Sequence, residues 1–271
     1  VNAMAERALV GGLCAFLSAY LILKGFSLIG DALGHSIVPG VALSYIIGVP
    51  LFIGAFAAGG IAAMVMLSLS KRTGLKEDVI IGLIFTTFFG LGLFMISLFP
   101  MSVDIQTIVM GNILAITPTD MYQLLAIGSI SIIILTLKWK DILITFFDEV
   151  HARAIGLNPE LLKVMFFTLL AVSCVSALQT VGAFLVVSMV VTPGATAYLL
   201  TDRFRNLIII SVLIGTFSGF VGTYISFFLN GATGGLIVLL QTGLFFTAFF
   251  LSPKYGYRIT RIKIKKPIGN S

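Results

Sequence analysis

Residues 30–40 are Gly30-Asp31-Ala32-Leu33-Gly34-His35-Ser36-Ile37-Val38-Pro39-Gly40, and they stand at the head of a long apolar segment. Asp31 and His35 are the only strongly ionisable residues of this stretch. In a helix, residues four apart lie above one another on the same face, so the spacing predicts that the carboxylate and the imidazole converge on one point. Such a pair can hold a divalent cation. An acid and a histidine placed in lipid without a purpose would cost a few kcal/mol, so the stretch predicts an intramembrane metal site at Asp31 and His35.

The composition of the whole chain is that of an integral membrane protein. Of its 271 residues, 58% are hydrophobic and only 10% are charged, and the mean hydropathy is +1.11. Soluble domains contain about half apolar residues. Apolar segments of about 20 residues recur along the chain and match the thickness of the hydrocarbon core. We therefore predict an all-α fold, a polytopic transmembrane helical bundle of about 8–9 spans, as one permease domain over residues 1–271.

The net charge of +6 is distributed as in a membrane protein and not as in a nucleic-acid-binding protein. Nearly all lysines and arginines fall in the regions 71–76, 138–163, 203–205 and 254–266, and the loops between them carry none. This alternation predicts that these regions are cytoplasmic. The connector (residues 138–163) and the basic tail (252–271) are thus expected in the cytoplasm, with the C-terminus, and the tail can also touch anionic lipid.

The apolar segments predict where the spans begin and end. Residues 164–201 form about 55 Å of helix, too long for one crossing, so they are expected to cross twice, with a reversal at 179–182 and a kink at Pro193-Gly194. An external segment at 100–120 is predicted to contain a short re-entrant or interfacial helix at 105–116. The other spans are predicted at 8–23, 27–47, 51–69, 79–99, 121–137, 207–229 and 236–251.

The connector is the longest polar region of the chain. Its Ala-rich part, then Gly156 and then Pro159, predict a short helix, its C-cap and a second helix that starts near Pro159. Two short helices in such a loop indicate a docking site for another protein. The alternative is a plain connector, although connections of this length are uncommon.

Motifs for enzyme chemistry are missing from the sequence. It contains no Walker sequence for ATP, and no Gly-x-Ser-x-Gly, His-Glu-x-x-His or Cys-x-x-Cys pattern. With only His35 and His151 in the chain, a catalytic triad is not expected. We predict a transport protein, not an enzyme, without a permanently bound cofactor.

Several segments resemble one family in the same order along the chain. Residues 26–42, which contain Asp31, Gly34, His35 and Pro39, closely resemble the signature of the manganese/zinc/iron permease family of bacterial ABC importers, which have a type II importer fold. Further segments resemble the same family: Gly111-Asn112-Ile113-Leu114-Ala115, Phe147-Asp148-Glu149 with Ala154 and Gly156, Val181-Gly182, and Thr192-Pro193-Gly194-Ala195-Thr196-Ala197.

The resemblance implies partners and residue roles. It implies a homodimer with a pore along the two-fold axis, a separate ATP-binding cassette subunit docked on the connector, and an extracytoplasmic metal-binding lipoprotein, all at the bacterial cytoplasmic membrane. Asp31 and His35 match the metal-coordinating positions of the family. The family's coupling positions correspond to Asp148, Glu149, Ala154 and Gly156. Candidates for the pathway or for helix packing are Gly34, Pro39, Asn112 and Pro193.

The two candidate ligands limit which ion can be carried. Asp31 offers a hard oxygen and His35 a borderline nitrogen, so two copies across a dimer axis would supply an O₂N₂ set that suits Mn²⁺, Zn²⁺ or Fe²⁺ and excludes thiolate-selected ions. We predict ATP-driven import of Mn²⁺, with Zn²⁺ or Fe²⁺ next. Two alternatives stay open. The chain could be a proton-coupled metal transporter with Asp31 as proton carrier, or Asp31 could cap a helix and His35 hydrogen-bond in a helix interface.

Overall fold

The described part of the chain is helical. The computed structural model describes residues 2–24, 32, 35–99, 118–229 and 231–252, and these contain no strand. The helices are, in chain order, α1 (Asn2–Lys24), α2 (Val38–Ile47), α3 (Leu51–Arg72), α4 (Glu77–Leu98), α5 (Pro118–Leu137), α6 (Trp139–Phe147), α7 (Glu149–Ala154), α8 (Pro159–Val181), α9 (Ala183–Leu200), α10 (Phe204–Leu229) and α11 (Thr233–Leu251).

The lengths and composition of these helices suit a membrane. Within the described residues, six helices are long and apolar enough to cross a bilayer, namely α1, α3, α4, α8, α10 and α11. The apolar stretches of α2, α5 and α9 are shorter. Many large apolar side chains on the long helices are exposed, for example Phe227 (77%) and Leu251 (81%). An exposed hydrophobic surface of this kind is stable only where lipid covers it. The predicted all-α transmembrane bundle is confirmed.

Most predicted spans coincide with a helix. The bounds of α3, α4, α10 and α11 agree with the predicted spans to within a few residues. The predicted segment 164–201 is interrupted at Gly182, where φ is +84°, as expected from the predicted reversal at 179–182. The helix before this break begins at Pro159, as predicted, five residues before the apolar segment, because Asn158 caps it and Pro159 suits its first turn. The short helix predicted at 105–116 lies outside the described residues.

The predicted second span at 27–47 is not one uninterrupted helix in its described part. Helix α2 begins at Val38, and Ile37 forms a turn before it. Pro39 occupies the first turn of α2 and has no N–H, so the helical hydrogen bond from residue 39 to the carbonyl of His35 cannot form. His35 and Ser36 are helical but belong to the chain before this turn.

Residues Lys24–Val187 form one compact unit, which holds α2 to α8. Helix α2 packs against α3 and α4, and α8 packs against α3, α5 and α6. Two buried hydroxyls, of Ser131 on α5 and Ser173 on α8, lie 3.0 Å apart and hydrogen-bond across the helix contact. Such polar contacts add to van der Waals packing between helices in lipid, where no hydrophobic force drives their association.

The second compact unit combines α1 with the chain from Ser188 onward. Ser211 on α10 donates a hydrogen bond to the carbonyl of Ala15 on α1, at 2.6 Å. The fully buried Gln241 of α11 accepts from Ser188 (2.9 Å) and donates to Ser218 (3.0 Å), so its amide joins α9 and α10. This unit is therefore held by a chain of internal hydrogen bonds as well as by packing.

Candidate functional site

The structure describes one of the two predicted metal ligands. His35 is half-buried in the unit that holds α2 to α8, whereas Asp31 lies outside the described residues. Gly34 and Asn112 also lie outside them. Among the described residues, no group of three or more His, Cys, Asp and Glu side chains could hold a metal ion. The pairing of Asp31 with His35 stays a prediction.

The imidazole of His35 packs against two phenylalanines of α4. Its centroid lies 5.2 Å from the Phe85 ring and 5.1 Å from the Phe89 ring, and its plane is inclined by 72° to each of them. The two phenyl rings are stacked on each other, 5.9 Å apart and almost parallel at 6°. These are the edge-to-face and stacked arrangements that aromatic rings favour.

Close contacts of α2 with its neighbours hold this region in place. A Cβ atom at Gly40 would collide with the backbone of Gly54 on α3, and one at Gly92 on α4 would lie only 2.6 Å from Cγ1 of Val38. The buried Pro39 shares the second contact, since its nitrogen would lie 2.9 Å from that Gly92 Cβ. The absence of side chains at these glycines lets α2 approach both helices closely. The backbone of Pro39 thus lies at the close contact between α2 and α4.

Two further residues next to His35 are fully or almost fully buried. Ser36 is 0% exposed, and its hydroxyl has no hydrogen-bond partner among the described residues. Ile37 packs on α3, because a Cβ added at Gly59 of α3 would lie 3.5 Å from Cγ2 of Ile37 and 3.7 Å from Cγ2 of Val175 on α8. Ile37, two residues after His35, and Val175 of α8 therefore pack at the same position on α3.

The connector folds as two short helices followed by α8. Asp148 accepts a hydrogen bond from the backbone N–H of His151 at 2.9 Å and so caps α7, and Gly156 has φ +83° just after that helix. Asn158 then caps α8 by accepting from the N–H of Leu161. The predicted short helix, the Gly156 turn and the helix start at Pro159 are confirmed. The helix at Pro159 is not short, however, because no helix breaker follows before Gly182, and the other short helix is α6.

Ion pairs and aromatic contacts attach the connector to α8. Glu149 forms an ion pair with Lys163, and Arg153 lies 3.6 Å from Glu160. Phe146 of α6 packs edge-to-face on the buried Phe166 of α8, with ring centroids 5.0 Å apart. These contacts cross from α6 and α7 to the same long helix. The connector and the start of α8 are therefore joined by both charge and packing.

The opposite side of the connector is an exposed surface with apolar residues. Phe147 is 71% exposed, Val150 is 80% exposed and Ile155 is 51% exposed, and Ala154 is also exposed. Ala152 between them is fully buried. Exposed apolar side chains within a polar segment are typical of a protein contact surface.

Pro193 lies inside α9, in the other unit, and is buried. The hydroxyl of Ser18 on α1 accepts from the N–H of Gly194 at 3.0 Å and donates to the carbonyl of Val191 at 3.2 Å. A proline inside a helix breaks its regular hydrogen bonding, and a side chain from a neighbouring helix can satisfy the groups that are released. Ser18 thus hydrogen-bonds to the backbone on both sides of Pro193.

The sequence alone does not connect Phe85 and Phe89 with His35. Their spacing of four on an apolar helix predicts a shared face, but it does not show which residue that face meets. Ser18 gave no signal in the sequence, since a single serine in an apolar span is compatible with many contacts. Both associations join residues far apart in the chain.

The chain is similar to known membrane transport proteins over almost its whole length. Residues 1–252 match the ABC 3 transport family. The chain is 56% identical to a probable iron transport system membrane protein of Haemophilus influenzae, over 97% of this chain and 93% of that protein. It is 44% identical to the manganese transport system membrane protein MntB of Synechocystis, over 94% and 84%. Among solved structures, PsaBC from Streptococcus pneumoniae matches with a TM-score of 0.84 and 35% identity, over 97% of this chain and 94% of that one.

Proposed function

The chain belongs to the ABC 3 transport family and is a membrane permease subunit, and we propose that it carries a divalent transition metal into the cell through a pathway at His35 and Asp31. Mn²⁺ is the first candidate, and Zn²⁺ and Fe²⁺ follow. The observation that carries the proposal is the half-buried His35, set beside α2 and α4 four residues after Asp31 in a chain that is only 10% charged. An ionisable pair at such a place in a membrane protein is functional by default.

The ligand chemistry supports a transition metal as the cargo. One carboxylate oxygen and one imidazole nitrogen from each of two subunits would give four ligands of mixed hardness, as Mn²⁺, Zn²⁺ and Fe²⁺ accept. The two carboxylates would also offset the charge of the ion in a low dielectric. The names of the relatives support the same class, since one is called an iron and another a manganese transport protein. Because one chain supplies only two of the four ligands, we propose a homodimer with the pathway along its axis.

The connector is proposed to receive a separate ATP-binding cassette subunit at the cytoplasmic face. Its exposed apolar residues next to the charged helix ends of α7 provide a contact surface. Asp148 and Gly156 shape this surface through the helix cap and the turn, Glu149 attaches it to α8, and Ala154 is exposed on it. An extracytoplasmic metal-binding lipoprotein would deliver the ion from the other side. In this arrangement residues 1–271 form one permease domain of the bacterial cytoplasmic membrane, with the C-terminus inside.

The proposal is tested by metal binding and by uptake. Asp31→Ala and His35→Ala should each abolish ATP-dependent ⁵⁴Mn²⁺ uptake into proteoliposomes that contain the complete complex, and should lower equilibrium Mn²⁺ binding, because each change removes two of four ligands in a dimer. His151→Ala is the matched control, since it removes the other histidine of the chain, which is exposed on α7. Size-exclusion chromatography checks that the complex assembles.

Two results would contradict the proposal. Wild-type uptake and wild-type Mn²⁺ binding in both Asp31→Ala and His35→Ala would show that these residues do not form the metal site. Uptake by the purified chain alone under a proton gradient, without an ATPase subunit, would replace the ATP-driven mechanism by a proton-coupled one.

A further inference from the structure

Three aromatic rings meet where α4 passes His35. The centroids of His35, Phe85 and Phe89 form a nearly isosceles triangle with sides of 5.2, 5.1 and 5.9 Å. The phenyl rings are parallel to within 6°, and the imidazole stands at 72° to both. The imidazole therefore lies against a pair of rings and not against a single one, so turning it about its Cβ–Cγ bond would change both contacts together.

The backbone contact between α2 and α4 keeps these rings together. Gly92 lies one turn after Phe89 on α4, and a Cβ there would be 2.6 Å from Cγ1 of Val38 and 2.9 Å from the nitrogen of Pro39. Val38 follows His35 by three residues. Because Gly92 has no side chain, α4 lies close to the chain that carries His35. The spacing of four brings Phe85 and Phe89 to one face of α4.

We propose that Phe85 and Phe89 are positioning residues that fix the plane of the His35 imidazole. They do not touch the transported metal and act on it only through His35. The inference rests on the metal role of His35 proposed above. An imidazole binds a metal in its own plane, along the lone pair of one nitrogen. The direction of that lone pair is set once the ring plane is set. In other proteins, groups that orient a metal-binding histidine affect metal affinity by about 10- to 100-fold.

Edge-to-face contacts serve this purpose without competing for the metal. A phenyl ring offers no nitrogen, oxygen or sulfur ligand, so it orients the imidazole without bonding to the metal itself. The contact also stabilises one ring orientation by a favourable interaction of the ring quadrupoles. A leucine of similar size would fill the space but would lose this preference, so the ring and not only the volume is required.

The experiment measures Mn²⁺ affinity and the geometry of a bound reporter ion. The variants are Phe85→Leu, Phe89→Leu and the double variant, in the complex purified from membranes. Mn²⁺ affinity is obtained from the electron paramagnetic resonance signal of the free ion, and the ligand geometry from the d–d absorption of bound Co²⁺. We expect about a 10-fold or greater loss of Mn²⁺ affinity in the double variant, and a changed Co²⁺ spectrum in each variant that retains measurable binding.

Two control variants separate orientation from stability. Phe94→Leu removes a ring from the far side of the same helix, because residue 94 lies about 180° around the helix from Phe85 and about 140° from Phe89. Phe94 is 61% exposed, and its replacement should keep wild-type affinity and the wild-type Co²⁺ spectrum. Phe85→Tyr keeps the ring and should stay within about twofold of wild type. A role in helix packing alone would lower the melting temperature in the Phe85 and Phe89 variants but would leave affinity and spectrum unchanged.

The outcomes distinguish this inference from the function on which it rests. Normal Mn²⁺ binding by His35→Ala would overturn the metal site and the positioning role together. Loss of binding in His35→Ala, with wild-type affinity and spectrum in the double variant, would overturn the positioning role alone. An equal loss in Phe94→Leu would also overturn it, because the effect would then not depend on the contact with His35.

Discussion

Replacing Gly40 by alanine should force α2 away from α3 and destabilise the protein. The new Cβ would collide with the carbonyl oxygen of Gly54 and would lie 2.6 Å from both Cβ of Ala58 and the carbonyl carbon of Gly54. Carbon atoms in van der Waals contact are about 3.5–4.0 Å apart. The helices must therefore separate by about 1 Å at this point, because the colliding atoms belong to the backbone and to a Cβ, which cannot rotate away.

The expected loss is a balance of two terms. Overpacking costs about 1–3 kcal/mol in general, and we expect the upper part of that range, about 2–3 kcal/mol, because the atoms that the Cβ meets cannot rotate away. Alanine in place of glycine regains about 1 kcal/mol through its higher helix propensity. The net destabilisation is thus about 1–2 kcal/mol. At about 2–4 °C per kcal/mol for a large domain, the melting temperature should fall by several degrees. Mn²⁺ affinity should also fall, since Gly40 follows His35 by five residues and a shift of α2 moves the site.

The assay compares Gly40→Ala with Gly60→Ala by thermal melting in detergent and by Mn²⁺ binding. Gly60 lies on α3, and a Cβ there would meet nothing within 4 Å, so its replacement should leave the melting temperature unchanged or slightly raised. Gly54→Ala approaches the same contact from the other helix and should behave as Gly40→Ala. Equal melting temperatures of Gly40→Ala, Gly60→Ala and the wild type would refute the close approach of α2 and α3.

Two further changes probe other contacts. Ser18→Ala should cost about 1–2 kcal/mol in the free energy of unfolding, because it removes two hydrogen bonds between α1 and α9. Ser68→Ala removes an exposed hydroxyl that is bonded within its own helix and should not change the melting temperature. Equal melting temperatures for both variants would contradict the bridging role of Ser18. The ion pair of Glu149 with Lys163 is proposed to transmit movement from α7 to α8. The single charge reversals Glu149→Lys and Lys163→Glu should therefore lower the amount of Mn²⁺ transported per ATP by up to about fivefold, the equivalent of about 1 kcal/mol. The double reversal should restore it. Failure of the double variant to exceed either single variant in a proteoliposome uptake assay would argue against that coupling.

The predicted and observed helices agree where the signals are local. Gly156, Asn158 and Pro159 act through their own backbone conformation or through bonds to residues three positions away, so the turn and the helix start could be predicted from them. The interruption at Gly182 is of the same kind. The predicted apolar segment begins at residue 164, five residues after the start of α8 at Pro159, because a helix can continue beyond the membrane.

The predicted site could be followed only in part. His35 is half-buried, and Pro39 and Pro193 are buried; their roles in the pathway or in packing stay predictions. The contact of His35 with Phe85 and Phe89 was not predicted, because a helix that is apolar on all sides has no polar face from which its neighbours can be inferred. In lipid both the packed and the exposed faces are apolar, so periodicity carries little information.

The amino-acid sequence by itself determined the membrane environment, the helical class, the places where glycine, proline and capping residues interrupt helices, and the two ionisable residues that need an explanation. These features depend on composition and on interactions over a few residues. The tertiary structure alone decided that α4 presents two rings to His35, that Ser18 meets the proline-containing helix 176 residues away, and that Gly40 touches Gly54. Such contacts depend on how whole helices pack, and in a bilayer this is settled by shape complementarity and a few hydrogen bonds, not by a pattern of polar and apolar residues.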